Sequence, residues 1–199
     1  MTNQLKVMDA CGLSAIAAMS VPCHGGLNLN QNVLGALLKA TRPGGVYWFA
    51  GLQHGPPAVE EASPDFAGQL RRMREMGCDG VKFLEGKPTI YKDLGKPLTD
   101  ARYDEFYAEM AQQGIPLLFH VADPSSNWDA TRVSQATKDR GWFYGDGTFP
   151  TREELYGQVD TILDRFSGLK VILAHFYFVE DDISRADEML SRDLSLIHI

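Results

Sequence analysis

Two histidines stand where short apolar runs end: Leu118-Phe119-His120 closes one run and Leu173-Ala174-His175 another. In parallel β/α architectures, polar residues at the carboxyl ends of strands gather at one mouth. Two imidazoles delivered there suit one metal ion, or a metal ion beside a general base. Taken singly, each is equally well explained as a hydrogen-bonded imidazole that closes a strand; it is the matched pair that points to chemistry. Lys82, flanked by Val81 and Phe83, is the third such residue. Burying an unpaired ammonium is costly, so Lys82 either meets a carboxylate such as Glu85 or serves a substrate anion or metal site.

Further candidates sit in loops. His24 and His54 follow apolar runs too, and a solvated loop is the preferred reading of both. His54 is nonetheless kept, with Glu85 and Tyr144, as a candidate substrate contact. Tyr144, Trp142 and Asp146 belong to a segment from Ala122 to Pro150 that is rich in Asp, Ser, Gly and aromatics and has no clear period. Loops that long in compact domains tend to carry function, so it is the expected lid or pocket wall, with simple loop packing as the competing reading. Cys23 has no acid–base partner nearby in sequence and is read as structural.

The elements that must position these groups are legible as an alternation. Gln4 to Cys11 reads as the tail of a helix closed by Gly12. Ala15 to Val21 reads as a strand buried on both faces, ending at Pro22. Leu29, Val33, Leu37 and Leu38 have helical spacing, and Val46 to Leu52 is a second strand. Ser63-Pro64-Asp65 opens a helix with serine as N-cap, carrying Phe66, Leu70 and Met73. Gly80 to Leu84 is a third strand, and Asp100 to Gln113 a helix ended by Gly114. Ile115 to Val121 is the fourth strand; Thr151 to Glu154 resembles a capping box opening a helix to Phe166. Leu169 to His175 is the fifth strand, and a last helix runs from about Glu180 to Arg192. Five apolar strands alternating with amphipathic helices predict a parallel sheet of βαβ units, open or closed. No Gly-x-Gly-x-x-Gly turn follows any strand, so dinucleotide binding has no support.

Bulk properties narrow the partners. With 199 residues and 44% hydrophobic content the chain fits one core. A net charge of −7 and a pI near 5.2 disfavour nucleic acid and anionic membrane, leaving a small-molecule substrate. Three cysteines, with no CxxC pair, argue against a disulfide framework and for a reducing cytoplasm. No run reaches the roughly 18–20 apolar residues of a membrane span, and the start lacks a secretion-signal layout.

Gly80-Val81-Lys82-Phe83-Leu84-Glu85-Gly86-Lys87-Pro88, Ile115-Pro116-Leu117-Leu118-Phe119-His120-Val121-Ala122-Asp123 and Lys170-Val171-Ile172-Leu173-Ala174-His175-Phe176 together resemble the amidohydrolase-related family. That branch of the amidohydrolase superfamily includes metal-dependent hydrolases and the aminocarboxymuconate-semialdehyde decarboxylase type. The resemblance implies an α/β fold, a TIM-type (β/α)8 barrel, with a divalent metal, usually zinc. The metal would be held by a His-x-His pair on the first barrel strand, a histidine on the fifth and an aspartate on the eighth. His120 matches the fifth-strand ligand. His175 matches the sixth-strand histidine, which binds metal or helps activate the attacking water, and Lys82 falls on the fourth strand in a role the resemblance leaves open.

The implied activity is hydrolysis of an amide, ester or lactone-like bond by metal-activated water, with non-oxidative decarboxylation on the same scaffold as the alternative. No His-x-His occurs in the sequence. The expectation is therefore a partial barrel over 1–193, with parallel strands two to six present and the first and last missing. Such a fragment is expected to be inactive alone, a truncated product with open strand edges, and the intact parent to be a possible homo-oligomer. Leu194 to Ile199 resembles an in-frame translation of a transposon-end adaptor from sequencing libraries. It is read as a non-native tail, which leaves His198 no functional weight.

Overall fold

The computed structural model describes residues 2–21, 31–55, 64–179, 181–191 and 196–198; His24 and Cys23 lie outside them. In chain order the elements are α1 (Thr2–Ala10), β1 (Ile16–Met19), α2 (Gln31–Thr41), β2 (Val46–Ala50), α3 (Phe66–Glu75), β3 (Gly80–Gly86) and α4 (Pro88–Leu94). There follow α5 (Asp104–Gln113), β4 (Leu117–Val121), α6 (Gln135–Asp139), α7 (Arg152–Arg165), β5 (Val171–Leu173), α8 (Ile183–Ser191) and β6 (Leu196–His198). The strands form one sheet in the order β1-β2-β3-β4-β5-β6, and every pairing is parallel. A doubly wound sheet reverses direction at a switch point. This one never reverses, which is the winding of a (β/α)8 barrel, here present as an arc of six strands.

Alternation along the strands separates two faces. Trp48, Ala50, Val81, Phe83, Leu117, Phe119, Val171 and Leu173 point to the main core, where they meet Phe66 and Leu70 of α3, Phe106 and Met110 of α5, and Leu155 and Ile162 of α7. The opposite face carries Phe49, Lys82, Leu118, His120, Ile172 and Ala174. Phe49, Leu118, Ile172 and Ala174 pack as a small separate cluster, and Lys82, Leu118 and Ile172 lie level across β3, β4 and β5. These six residues keep 6–9% of their surface, whereas most strand residues of the main core keep none. The concave face is therefore narrow and apolar but reachable, and Lys82 and His120 are its ionisable strand residues.

Several local expectations hold. Gly12 (φ 65°) and Gly114 (φ 62°) turn the chain out of α1 and α5 in the left-handed region. Thr151 and Glu154 form the full capping box of α7. Others are corrected. β1 is an edge strand with residues alternately half-buried and exposed, not buried on both faces. On α2, Val33 and Leu37 are exposed, while Asn32, Gly35 and Leu38 face inward. Asn32 earns its place by closing a two-way bond with the Gly51 backbone, a polar pairing that apolar spacing cannot reveal. The N-cap of α3 is Asp65, whose carboxylate accepts from Gly68 N, and Ser63 lies outside the described residues. The expected strand through His175 stops at Leu173.

Two elements were not anticipated: α4, and β6, which pairs with β5 through Val171 and Leu196. β6 lies in the segment read as a non-native tail, so the arc holds six strands where five were expected. No helix among the described residues is long and apolar enough to cross a membrane.

Candidate active site

Two polar clusters occupy the carboxyl ends of the strands. The first lies at β4 and β5. His120 is on β4, buried, with its ring centroid 5.0 Å from that of His175. Phe178 packs beside both, at 5.5 and 5.1 Å. His175 reaches this position by an unusual route. After β5 the chain makes a left-handed turn in which His175, Phe176, Tyr177 and Phe178 all have φ between 50 and 58°. Non-glycine residues in that region cost of order 1–3 kcal/mol each and persist where surrounding packing holds them, commonly at functional sites. Tyr177, buried with its carbonyl accepting from Tyr156, anchors the turn. His175 itself is exposed.

Burial pushes the His120 imidazole below its ordinary value of 6.5; the bond to Asp123 opposes this, and the Lys82 charge adds to it. His175 is lowered in the same order, by burial and then by Lys82. Both rings are therefore neutral at pH 7, the form that can donate a lone pair to a metal or accept a proton.

Asp123, to which sequence reasoning gave no role, organises this cluster. Ala122 (φ 61°), held by a bond from its amide to Gly86 O, folds the chain so that Asp123 Oδ1 lies 3.3 Å from His120 Nε2. The Lys87 ammonium and the Tyr144 hydroxyl both donate to Oδ2 at 2.6 Å. Burial opposes ionisation of Asp123, but these donors outweigh it and hold the carboxyl below the usual range. Lys87 also sits over the Trp142 ring at 4.5 Å. Tyr144, expected to touch substrate, is instead buried between Asp123, Trp128 and Phe149. The long loop is thus a packed wall fixed to the site through Asp123. The signal available in sequence was a carboxylate three residues beyond a strand-ending histidine.

The second cluster lies at β2 and β3. His54 Nε2 is 2.7 Å from Glu85 Oε1, with 4% and 1% of the side chains exposed. The solvated-loop reading of His54 is therefore overturned, because Phe66 and Tyr103 wall in its ring. His54 Nδ1 and Glu85 Oε2 have no hydrogen-bond partner. Glu85 being taken by His54, Lys82 has no ion-pair partner among the described residues. Burial lowers its pKa from 10.5 to about 8, against the pull of Glu85. Lys82 lies between the clusters, since its charge is felt by Glu85, His120 and His175 alike.

The donor set suits a divalent cation in part. His120 and His175 are neutral nitrogen donors at one mouth, but among the described residues no group of three or more His, Cys, Asp or Glu side chains is placed to hold a metal ion. Two imidazoles make part of a coordination shell.

The chain matches the family model described as Amidohydrolase over residues 34–192. No curated protein matches it in sequence. Among solved structures, an uncharacterized TIM-barrel protein from Bordetella bronchiseptica is similar at a TM-score of 0.58 and 16% identity, covering 98% of this chain and 57% of that one. A 4-oxalomesaconate hydratase from Rhodopseudomonas palustris has a TM-score of 0.55 at 18% identity, covering 99% and 57%. A 5-carboxyvanillate decarboxylase from Novosphingobium aromaticivorans, complexed with manganese and 4-hydroxy-3-methoxy-5-nitrobenzoic acid, has 0.59 at 17%, covering 94% and 53%. The chain spans a little over half the length of these proteins, and at such identities they share its fold alone. With its strands wound as in those barrels and most of its length matched by the family model, the chain belongs to the amidohydrolase family.

Proposed function

We propose that the barrel to which this arc belongs is a metal-dependent hydrolase of a small molecule, with His120 and His175 among the metal ligands. The observation that carries this reading is the pair of neutral imidazoles meeting at the β4–β5 mouth. A divalent cation bound there supplies Lewis acidity. Zinc is the first choice for imidazole donors, and manganese is the metal named in one relative's complex. His175, exposed and neutral, accepts a proton from the attacking water, while His120 is held fixed by β4 and Asp123. Lys82, a buried cation without a carboxylate partner, neutralises negative charge on the substrate. His54 and Glu85 turn their two unpaired atoms toward substrate polar groups. Two imidazoles do not complete a ligand set, which supports the reading that the chain alone does not turn over. A cytoplasmic, small-molecule enzyme fits the cysteine content and charge.

A second reading, non-oxidative decarboxylation, is favoured by the same lysine. An ammonium buried on an apolar face beside proton-carrying imidazoles suits a carboxylate substrate, and one similar structure is a decarboxylase by name. The test is elemental analysis of the purified chain beside His120→Ala and His175→Ala, together with assays of esters, lactones and aromatic acids in a closed barrel carrying the same changes. Metal content and turnover are expected to fall by orders of magnitude in both variants. Carbon dioxide release without ester or lactone cleavage assigns decarboxylation. Variants that keep wild-type metal and turnover sink the site.

A further inference from the structure

We propose that Asp123 is itself a metal ligand, its Oδ1 sharing with His120 Nε2 the cation that the β4–β5 mouth accepts. This rests on the reading above that the mouth takes a divalent metal.

The carboxylate is used unevenly. Oδ2 accepts from both Lys87 and Tyr144 at 2.6 Å, whereas Oδ1 has only the contact to His120 Nε2 at 3.3 Å. A charge-assisted N–H···O bond is normally about 2.7–2.9 Å long, so the contact is loose for a hydrogen bond. It is close to what two donors of one cation require. Nitrogen and oxygen ligands lie about 2.0–2.2 Å from zinc, which puts adjacent donor atoms about 3.0–3.5 Å apart. The remaining partners resemble the outer layer that usually supports a ligating carboxylate, with donors fixing the non-ligating oxygen.

The backbone is built for the placement. The β3–β4 register shifts between Phe83 and Gly86, and a Cβ on Gly86 would come within 2.5 Å of His120 O. Only glycine lets β3 approach β4 this closely, and the same glycine's carbonyl receives the Ala122 amide that turns Asp123 back over His120. Lys87, stacked on Trp142, keeps net charge low enough for a buried carboxylate to remain ionised before the cation arrives.

The test is a cobalt(II) titration of the full chain, of Asp123→Asn and of His120→Ala, read as the dissociation constant by calorimetry and as the visible d–d absorption of bound cobalt. His120→Ala is expected to abolish binding. Asp123→Asn is expected to raise the dissociation constant at least tenfold and to change the visible spectrum, which a purely structural role would leave alone. Cobalt bound by Asp123→Asn with wild-type affinity and spectrum, but lost in His120→Ala, overturns the assignment of Asp123 and leaves the metal reading standing. No cobalt bound by the wild-type chain, or binding unaffected by either change, overturns both. Should far-UV circular dichroism show Asp123→Asn unfolded, Tyr144→Phe carries the test. It removes one donor to Oδ2 and should raise the dissociation constant several-fold; an unchanged constant overturns the proposal.

Discussion

Lys82 is held on the concave face at a cost, and replacing it with methionine measures that cost. The side chain is buried and its pKa falls from 10.5 to about 8. At about 1.4 kcal/mol per pH unit, keeping the ammonium protonated in the fold at pH 7 costs about 3 kcal/mol relative to the unfolded chain. Methionine fills nearly the same volume without charge among Phe49, Leu118 and Ile172, and Glu85 keeps its bond to His54. Allowing for relaxation and for the lost attraction of Glu85, Lys82→Met should stabilise the fold at pH 7 by about 1–3 kcal/mol. For a chain of this size that is a rise in Tm of roughly 2–10 °C. The sign with pH follows from the depressed value. Between pH 8 and 10.5 the unfolded chain still binds the proton that the folded one has released, so wild-type stability rises through that window. The advantage of methionine should therefore shrink to about 1 kcal/mol or less by pH 10. Urea denaturation of both proteins at pH 7 and pH 10 measures it, as a shift in midpoint at constant m-value. A less stable variant at pH 7, or a gap that does not narrow by pH 10, refutes the claim that Lys82 is an unpaired buried cation. A stabilised variant identifies a residue kept against stability, as expected of one kept for function.

Two further outcomes follow from packing and titration. Gly35 of α2 lies against Trp48, where a Cβ would stand 2.2 Å from the indole nitrogen; Gly35→Ala should cost about 1–3 kcal/mol in urea unfolding, and a neutral effect would show that α2 slides freely on β2. Because the His120 value lies below 6.5 in the fold, its neutral form contributes stability that is whole above pH 6.5 and declines as the pH falls through the folded value; urea midpoints should drop between pH 7.5 and 5.5, and His120→Gln should flatten that slope, an equal slope in both proteins counting against a buried neutral imidazole.

Much of the architecture was legible because it rests on local rules. Glycines at positive φ ended the helices at Gly12 and Gly114, the Thr151–Glu154 box opened α7, and runs of apolar residues marked the strands. The pairing of His120 with His175 could be read from their equivalent positions after two such runs. What stayed hidden depends on contacts between distant residues. Asn32 reads as a polar interruption of a helix until its bonds to Gly51 are seen. His54 looks solvated until Phe66 and Tyr103 close over it. Tyr144 looks like a pocket residue because nothing in sequence shows that Asp123, 21 positions earlier, takes its hydroxyl. The left-handed turn through His175 violates the preference of ordinary side chains, so no propensity argument predicts it.

The unbroken order of the sheet bears on how the chain grows. Paired residues are separated by 25 positions between Val171 and Leu196, and by at most 54 between Leu117 and Val171. The cost of closing a loop rises only with the logarithm of its length, so these crossovers differ by less than about 1 kcal/mol. Each strand emerging from the ribosome meets one free edge, that of the strand just before it, with the helix that covers it already made. Assembly can therefore proceed as a winding in the direction of synthesis, in which no strand waits for a partner more than one β/α unit away.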